Sequence, residues 1–509
     1  MKFLRLITLK TMKNFKIAFF TFLFIVLSSC ELEEVAPFLD KTVYEDPQTA
    51  QASAKGIYAG LTAYNAKEKG IFVINGFSGL FITGRNGQRI SNIHNANLLS
   101  LNPTYDADSE SMWSEYYAVI SRCNGAIQYT STGIDPVFDN VAGHAYFLRA
   151  YSYFQLVRIW GDIPLWTVLP DNNNLHKAKS SVKEIYTQII SDAQQAENLM
   201  NETLGVGFPL KYASNMLLAK VYMTLATNPD LGDGSSNYWQ LAYDEAIKVK
   251  NSGRYTLHPN YNELFTQAGE NTNESIFEYQ LSEIASNSQL GRNFTPWKYK
   301  AGQHFGWLSV HASVYDTHVA NYPVDPRLDG TYLHYYTRAD NNDEVKLYPS
   351  TGRNSFRASH PYLFKFAEKD KSHTAQYNSQ NYIVYRYADL LLMLAEISNE
   401  LSKDAEAMGY VEQVLSRVGL TPHISYQGGQ ASFRDAIMRE YRFELLGEGE
   451  DSHNNRRRGF NYFLNTIILP HNNAPNRNQY DLTLLTDESR VMKLPIPLGE
   501  VTTNDLIDD

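Results

Sequence analysis

Cysteine is nearly absent. Two occur in 509 residues, Cys30 and Cys123. A disulfide-stapled scaffold is therefore excluded if Cys30 is used otherwise. Cys123 lies in an apolar helical stretch, where a lone thiol packs like a small hydrophobe. Basic charge is also short, with 45 Lys and Arg against 55 Asp and Glu. Five of those cations precede Cys30 and no acid does, which leaves 40 against 55 afterwards. Such a surface does not suit nonspecific nucleic-acid binding. One apolar run exists, from Ile17 to Leu27, too short to span a bilayer as a stable helix. Catalytic signatures are missing as well. There is no HExxH, no phosphate-cradling GxxxxGK[ST] and no GxSxG. The thirteen histidines show no metal-ligand spacing. Asp230-Leu231-Gly232-Asp233-Gly234 starts like a calcium loop, but its twelfth position is Leu241, where a glutamate is needed. That stretch reads as a turn. No pair of carboxylates stands out for glycoside hydrolysis. The expectation is a protein without catalysis, cofactor or metal.

The amino terminus is informative. Lys13 and Lys16 precede the apolar run, which ends at Leu27-Ser28-Ser29-Cys30. A basic segment followed by a short apolar one is a secretion signal. The last four residues resemble a lipobox, in which Cys30 receives lipid and becomes the first residue of the mature chain. Met12 offers a second start that gives a signal of ordinary length. Glu31, Glu33 and Glu34 form an acidic, solvated cluster just beyond. It is similar to the export signal that sends Bacteroidetes lipoproteins to the outer face of the outer membrane. Residues 1–29 are expected to be signal peptide and 30–45 a lipidated, flexible tether.

Residues 46–509 read as one large helical domain. Val182, Ile185, Ile189, Ala193, Ala196 and Leu199 keep the 3–4 spacing of an amphipathic helix, as do Phe147, Ala150, Phe154 and Val157. Further helices are expected near 49–64, 111–129, 210–227, 238–250, 387–400, 405–418 and 431–447. Gly and Pro punctuate the gaps, as in Gly161-Asp162-Ile163-Pro164. Consecutive helix pairs suggest a tetratricopeptide-like array, although the full repeat consensus is absent. Two stretches, 71–108 and about 282–385, break the pattern and are rich in Asn, Gly, Ser, Tyr and Pro. Loops this long usually carry function.

Several blocks share one resemblance. Residues 144–166, HAYFLRAYSYFQLVRIWGDIPLW, resemble the signature helix and turn of the SusD/RagB family of outer-membrane nutrient-binding lipoproteins. WSEYYAVISRCNGAI (113–127), YWQLAYDEAIKVKNSGRYTL (238–257), NELF (262–265), NESIFEYQ (273–280) and YRYADLLLMLAEISNE (385–400) follow in the family's order. VEQVLSRVGL (411–420), IMREYRFELLGEG (437–449) and KLPIPLGEVTTN (493–504) complete the series. The resemblance implies an all-α fold with tetratricopeptide pairs as scaffold and a ligand site built from loops. It implies a cell-surface, lipid-anchored protein that partners a TonB-dependent, SusC-like outer-membrane transporter. Such a protein binds oligosaccharide, or in some members peptide, and performs no covalent chemistry. One block departs from the family pattern. After Glu448-Gly449 the places of an arginine and an Asp-Leu pair hold Asp451, Asn454 and Asn455. Arg456, Arg457 and Arg458 in this stretch are expected to form a solvated loop.

Sugar binding needs aromatic faces for the apolar side of a pyranose and planar polar groups for its hydroxyls. Trp113, Trp160, Trp166 and Trp239 lie on or beside expected helices and read as core. Trp297 lies in the second irregular stretch, with Tyr299 and Trp307 nearby, and is the leading platform candidate. Arg85 and Asn86 fit a polar clamp in the first irregular stretch, and Tyr105 is a further possible face. Peptide binding on the same scaffold, a lipid-anchored glycoside hydrolase and a pure interaction scaffold are the competing readings.

Overall fold

The structure is a computed structural model that describes residues 41–65, 70–83, 99, 107–170, 175–201, 204–282, 290–299, 304–349, 360–367, 379–474 and 483–507. Helices dominate it, at the places that hydrophobic spacing marks. They run Pro47–Asn65, Ala107–Tyr129, Pro136–Trp160, Val182–Leu199, Tyr212–Thr227, Tyr238–Asn251, Tyr387–Glu400, Asp404–Ser416 and Gln430–Leu445. Successive helices pack as antiparallel neighbours: Ala107–Tyr129 on Pro136–Trp160, Tyr212–Thr227 on Tyr238–Asn251, and Tyr387–Glu400 on Asp404–Ser416. Tyr387–Glu400 also packs on Tyr238–Asn251, which joins the two halves of the chain. Among the described residues no helix is long and apolar enough to cross a membrane. Lys41–Tyr44 is a short 3-10 helix in which Lys41 is exposed and Tyr44 is buried against Tyr129.

Local chemistry sets the helix ends. Asp135 caps Pro136–Trp160 by accepting the Val137 N–H, and proline occupies the first helical position. Gly161 stops the same helix at φ +80°, a value that favours glycine. Ile163–Pro164 then pairs with Lys179–Ser180, and Ser181 with Glu184 forms a capping box on the next helix. The Asp230–Gly234 stretch is a turn in which Asp233 accepts the Tyr238 hydroxyl and the Ser235 N–H. Cys123 is buried, and burial pushes its thiol pKa far up, as an inert packed thiol requires.

The strand Ser275–Tyr279 pairs antiparallel with Tyr382–Arg386 inside the helical scaffold. Phe277 at its centre meets Tyr58, Phe147, Tyr151 and Tyr385 edge-on, with ring centroids 5.4–6.1 Å apart. Much of the aromatic content is spent on this core. A buried ionic network then ties the irregular stretch to the scaffold. Arg386 holds Glu444, Glu448 and Glu274 at 2.6–2.9 Å. Arg327 reaches Asp325, Glu440 and Glu444, and Lys365 reaches Glu448. Arg327 and Lys365 belong to the irregular stretch, and their carboxylate partners Glu440, Glu444 and Glu448 belong to or closely follow Gln430–Leu445. The stretch also contains short elements, among them Leu290–Phe294, Ala312–Asn321 and the hairpin Tyr335–Thr337 with Glu344–Lys346.

The segment 451–458 corrects the reading of a solvated loop. Asp451–Arg456 is a short helix, and Arg456 and Arg457 are buried. Arg457 and Arg458 both grip Glu396. Arg456 lies against the rings of Phe77 and Phe463, with its Cζ 3.5 and 4.3 Å from their centroids. Sequence alone gives three adjacent arginines no apolar neighbour. Their carboxylate partners Glu396 and Glu400 and the ring of Phe77 sit more than fifty residues away along the chain.

Candidate functional site

Trp297 sits in the turn Pro296–Tyr299 that follows the helix Leu290–Phe294, where the Tyr299 N–H donates to the Pro296 carbonyl. Its side chain is 47% exposed. Beneath it lies a second, smaller apolar core made of Tyr299, Leu333, Tyr336, Leu347, Tyr362 and Ala367. The Tyr336 hydroxyl donates to the Trp297 carbonyl at 3.0 Å, and the Ala339 N–H donates to the Lys298 carbonyl at 2.9 Å. The Trp297 and Lys298 carbonyls are thus held in place while the indole stays exposed. Lys298 has φ +67°, an uncommon value for a residue with a side chain.

Two cations flank the ring. Lys298 Nζ lies 4.9 Å and Arg338 Cζ 5.2 Å from its centroid. Both distances suit attraction to the ring face. Arg338 is held in turn by Asp340 through contacts of 2.9 and 2.6 Å. Those hydrogen bonds hold the Asp340 carboxyl below its usual pKa. The site therefore offers an aromatic face beside a guanidinium, an ammonium and a carboxylate, all able to meet sugar hydroxyls. Tyr335, 62% exposed, projects from the same hairpin on the side opposite Tyr336. Trp297 and Tyr335 are the exposed aromatic residues among the described residues, and both belong to this unit.

The other candidates sort differently. Tyr299 is buried at 2% exposure, so it supports the platform from below and its ring is not an open face. Trp307 is half-buried and stacks on Phe305 with centroids 4.7 Å apart and planes 3° apart, while Arg292 covers Phe305 at 3.9 Å. Trp113 and Trp160 are buried and meet edge-on at 5.3 Å, as core residues do. Trp166 and Trp239 pack half-buried against the core. Arg85, Asn86, Tyr105 and Cys30 lie outside the described residues. Arg338, Asp340 and Tyr335 escaped the sequence reading. The alternation in Tyr335-Tyr336-Thr337 and Glu344-Val345-Lys346 around a polar turn was the available signal.

Comparison with known proteins now separates fold from site. Residues 227–508 match the profile of the SusD family. The chain belongs to the SusD family. Residues 38–223 match a second SusD-like profile, described as starch-binding associating with outer membrane. SusD-like protein P2 of Formosa agariphila is 27% identical over 97% of this chain and 98% of its own. A SusD superfamily protein from Parabacteroides distasonis shares the fold with a TM-score of 0.75 at 24% identity, over 91% of this chain and 98% of its own. Surface glycan-binding protein A from Bacteroides thetaiotaomicron, solved in complex with laminarihexaose, superposes with a TM-score of 0.69 at 20% identity, over 90% of this chain and 98% of its own. The all-α, paired-helix architecture expected from the sequence is therefore that of this SusD-family chain.

Proposed function

We propose that this SusD-family protein binds an oligosaccharide at the outer surface of the outer membrane and delivers it to a TonB-dependent, SusC-like transporter. The observation that carries the proposal is Trp297, an indole left open to solvent on a backbone fixed from below. A pyranose can lay its C–H face on that ring while Arg338, Asp340 and Lys298 meet its hydroxyls. A SusD-like relative of the same fold is described in complex with laminarihexaose, which supports a glycan as the ligand class. Lipid on Cys30 supplies the anchor, and the acidic Glu31-to-Glu34 stretch supplies the tether. Trp307, Arg85, Asn86 and Tyr105 are secondary candidates for the same ligand. The protein captures and releases its ligand without breaking a bond in it.

A glycan array probed with the chain lacking residues 1–30 tests the proposal. Binding to one family of oligosaccharides, with the glycans recovered uncut, is the expected result. Binding only to peptides, or release of new reducing ends, would overturn it.

A further inference from the structure

A cavity of about 330 Å³ opens between the end of the helix Pro136–Trp160, the start of Val182–Leu199, segment 453–457 and residues 488–493. None of the Trp297 platform residues lines it. One wall is apolar, with Val157 and Val182. The remainder includes His453, Arg456, Lys493 and Glu488. Its floor belongs to the segment in which this chain departs from the family pattern.

Charge is out of balance here. Arg456 is 6% exposed and has no carboxylate partner among the described residues. Its acceptors are neutral: the carbonyls of Val491, Phe77 and Ser452, and the Ser452 hydroxyl. A guanidinium has five N–H groups, so one remains unused. Nearby, Arg158, Lys220, Arg457 and Arg458 pair with Glu450, Asp389, Glu396 and Glu400. Four cations thus face four carboxylates, and Arg456 stands outside these pairs. Buried charge without a partner is costly. His453 gives an independent sign. It is 5% exposed, and its Nε2 is buried with no hydrogen-bond partner among the described residues. Burial, reinforced by the charge of Arg158, holds its pKa well below the usual value, so the ring is neutral and can donate or accept. Lys493 is exposed and makes no ion pair among the described residues. Glu488 is the one carboxylate in the lining and lies in its exposed part.

We propose that this cavity is a binding site for a small organic anion, with a carboxylate or phosphate toward Arg456 and Lys493 and an apolar body along Val157 and Val182. An inorganic ion would fill little of the volume and would leave the apolar wall wet. A molecule with one ring and one anionic group fits both the size and the division of the walls.

Calorimetry on the detergent-solubilised mature chain, at constant ionic strength, tests this with benzoate, phenyl phosphate, inorganic phosphate and the neutral isostere benzamide. Benzoate or phenyl phosphate should bind at one site, with benzamide at least about tenfold weaker. Lys493→Glu should weaken the anion about tenfold, since like charge would then face it. Glu488→Gln should tighten binding. Val182→Trp should block the cavity. Trp297→Ala should leave anion binding unchanged, which separates this site from the glycan platform. Equal binding of benzamide, inorganic phosphate binding as tightly as phenyl phosphate, or an unchanged affinity in Lys493→Glu would each overturn the proposal. So would the absence of binding by all four probes. Lys493 is exposed, so its variant reports on binding even if Val182→Trp fails to fold.

Discussion

Arg457 meets Glu396 through two parallel contacts inside the protein, Nη1 to Oε1 at 2.8 Å and Nη2 to Oε2 at 2.5 Å. Both side chains are buried, and Arg458 adds a third contact to the same carboxylate. The pair joins the segment after Gly449 to the helix Tyr387–Glu400, which is where the chain's two helical halves meet. Removing Glu396 strands Arg457, and removing Arg457 leaves the buried Glu396 with Arg458 alone. Arg457→Met should cost about 3–5 kcal/mol in chemical denaturation, and the double variant Arg457→Met, Glu396→Gln should recover part of that loss. Additive losses in the double variant would show that the two residues act separately.

The same glutamate sets an acid limit. Burial alone would raise the Glu396 carboxyl, but the charges of Arg457 and Arg458 outweigh it and hold the pKa at about 2. A carboxyl depressed on folding contributes stability that is complete above its unfolded pKa of about 4.3 and is lost as pH falls toward 2. Wild type should therefore lose melting temperature below pH 4.5 more steeply than Glu396→Gln. Equal slopes in the two proteins would contradict this.

Asp451 predicts the opposite slope. Burial pushes its carboxyl up to about 7, against the pull of the Gly447 N–H and Arg442. Between about pH 4 and 7 the folded state keeps a proton that the unfolded state has lost, so this residue makes stability fall as pH rises. Asp451→Asn can still accept from Gly447, which now contacts the carboxylate at 3.1 Å. The variant should melt higher than wild type at pH 8 and about equally at pH 4. A lower melting temperature at pH 8 would show that the ionised carboxylate is needed.

Helices were legible because their evidence is local. The spacing of Val182, Ile185, Ile189 and Ala193 marks one face of one helix, and those residues are half-buried or buried as that face requires. Trp113 and Trp160 follow the same logic. The irregular stretch was legible only as irregular. Besides the local Arg327–Asp325 pair, Arg327, Lys365 and Arg386 meet carboxylates from 58 to 117 positions away, and no local pattern encodes those pairs. Trp297 stands out in sequence because it lies outside the helical stripes, and it is exposed. Tyr299, two residues on, is a candidate on sequence but is buried, because exposure in a loop depends on the small core folded there. Arg456 to Arg458 misled for a similar reason, since a run of charge looks solvated until its partners are known.

The anchor has its own test. If Cys30 carries lipid, Cys30→Ala should leave the signal uncleaved or release the protein from the membrane fraction. Acyl chains contribute about 0.8 kcal/mol per buried CH₂, and among the described residues no helix could replace them. Correct cleavage with firm membrane retention in the variant would remove the lipid reading.

The binding platform can be tested by separating affinity from stability. A ligand captured for transport must also be released, so an affinity between millimolar and micromolar is expected, roughly 4–8 kcal/mol. One stacking face supplies much of so small a total, since truncating a central aromatic often costs about 2 kcal/mol. Trp297→Ala should weaken glycan binding at least about tenfold. Its indole is 47% exposed and the small core beneath it excludes the ring, so the melting temperature should barely move. Trp160→Ala provides the contrast. That ring is 4% exposed and packed on Trp113, so its removal opens a cavity and should cost about 3–5 kcal/mol. Arg338→Ala should fall between, weakening binding severalfold by removing a polar partner beside the ring, with little loss of stability because its contact with Asp340 is solvent-exposed. Calorimetry and melting curves on the three variants decide the outcome. If Trp297→Ala binds normally, the glycan does not stack there, and the search passes to Trp307, Arg85, Asn86 and Tyr105.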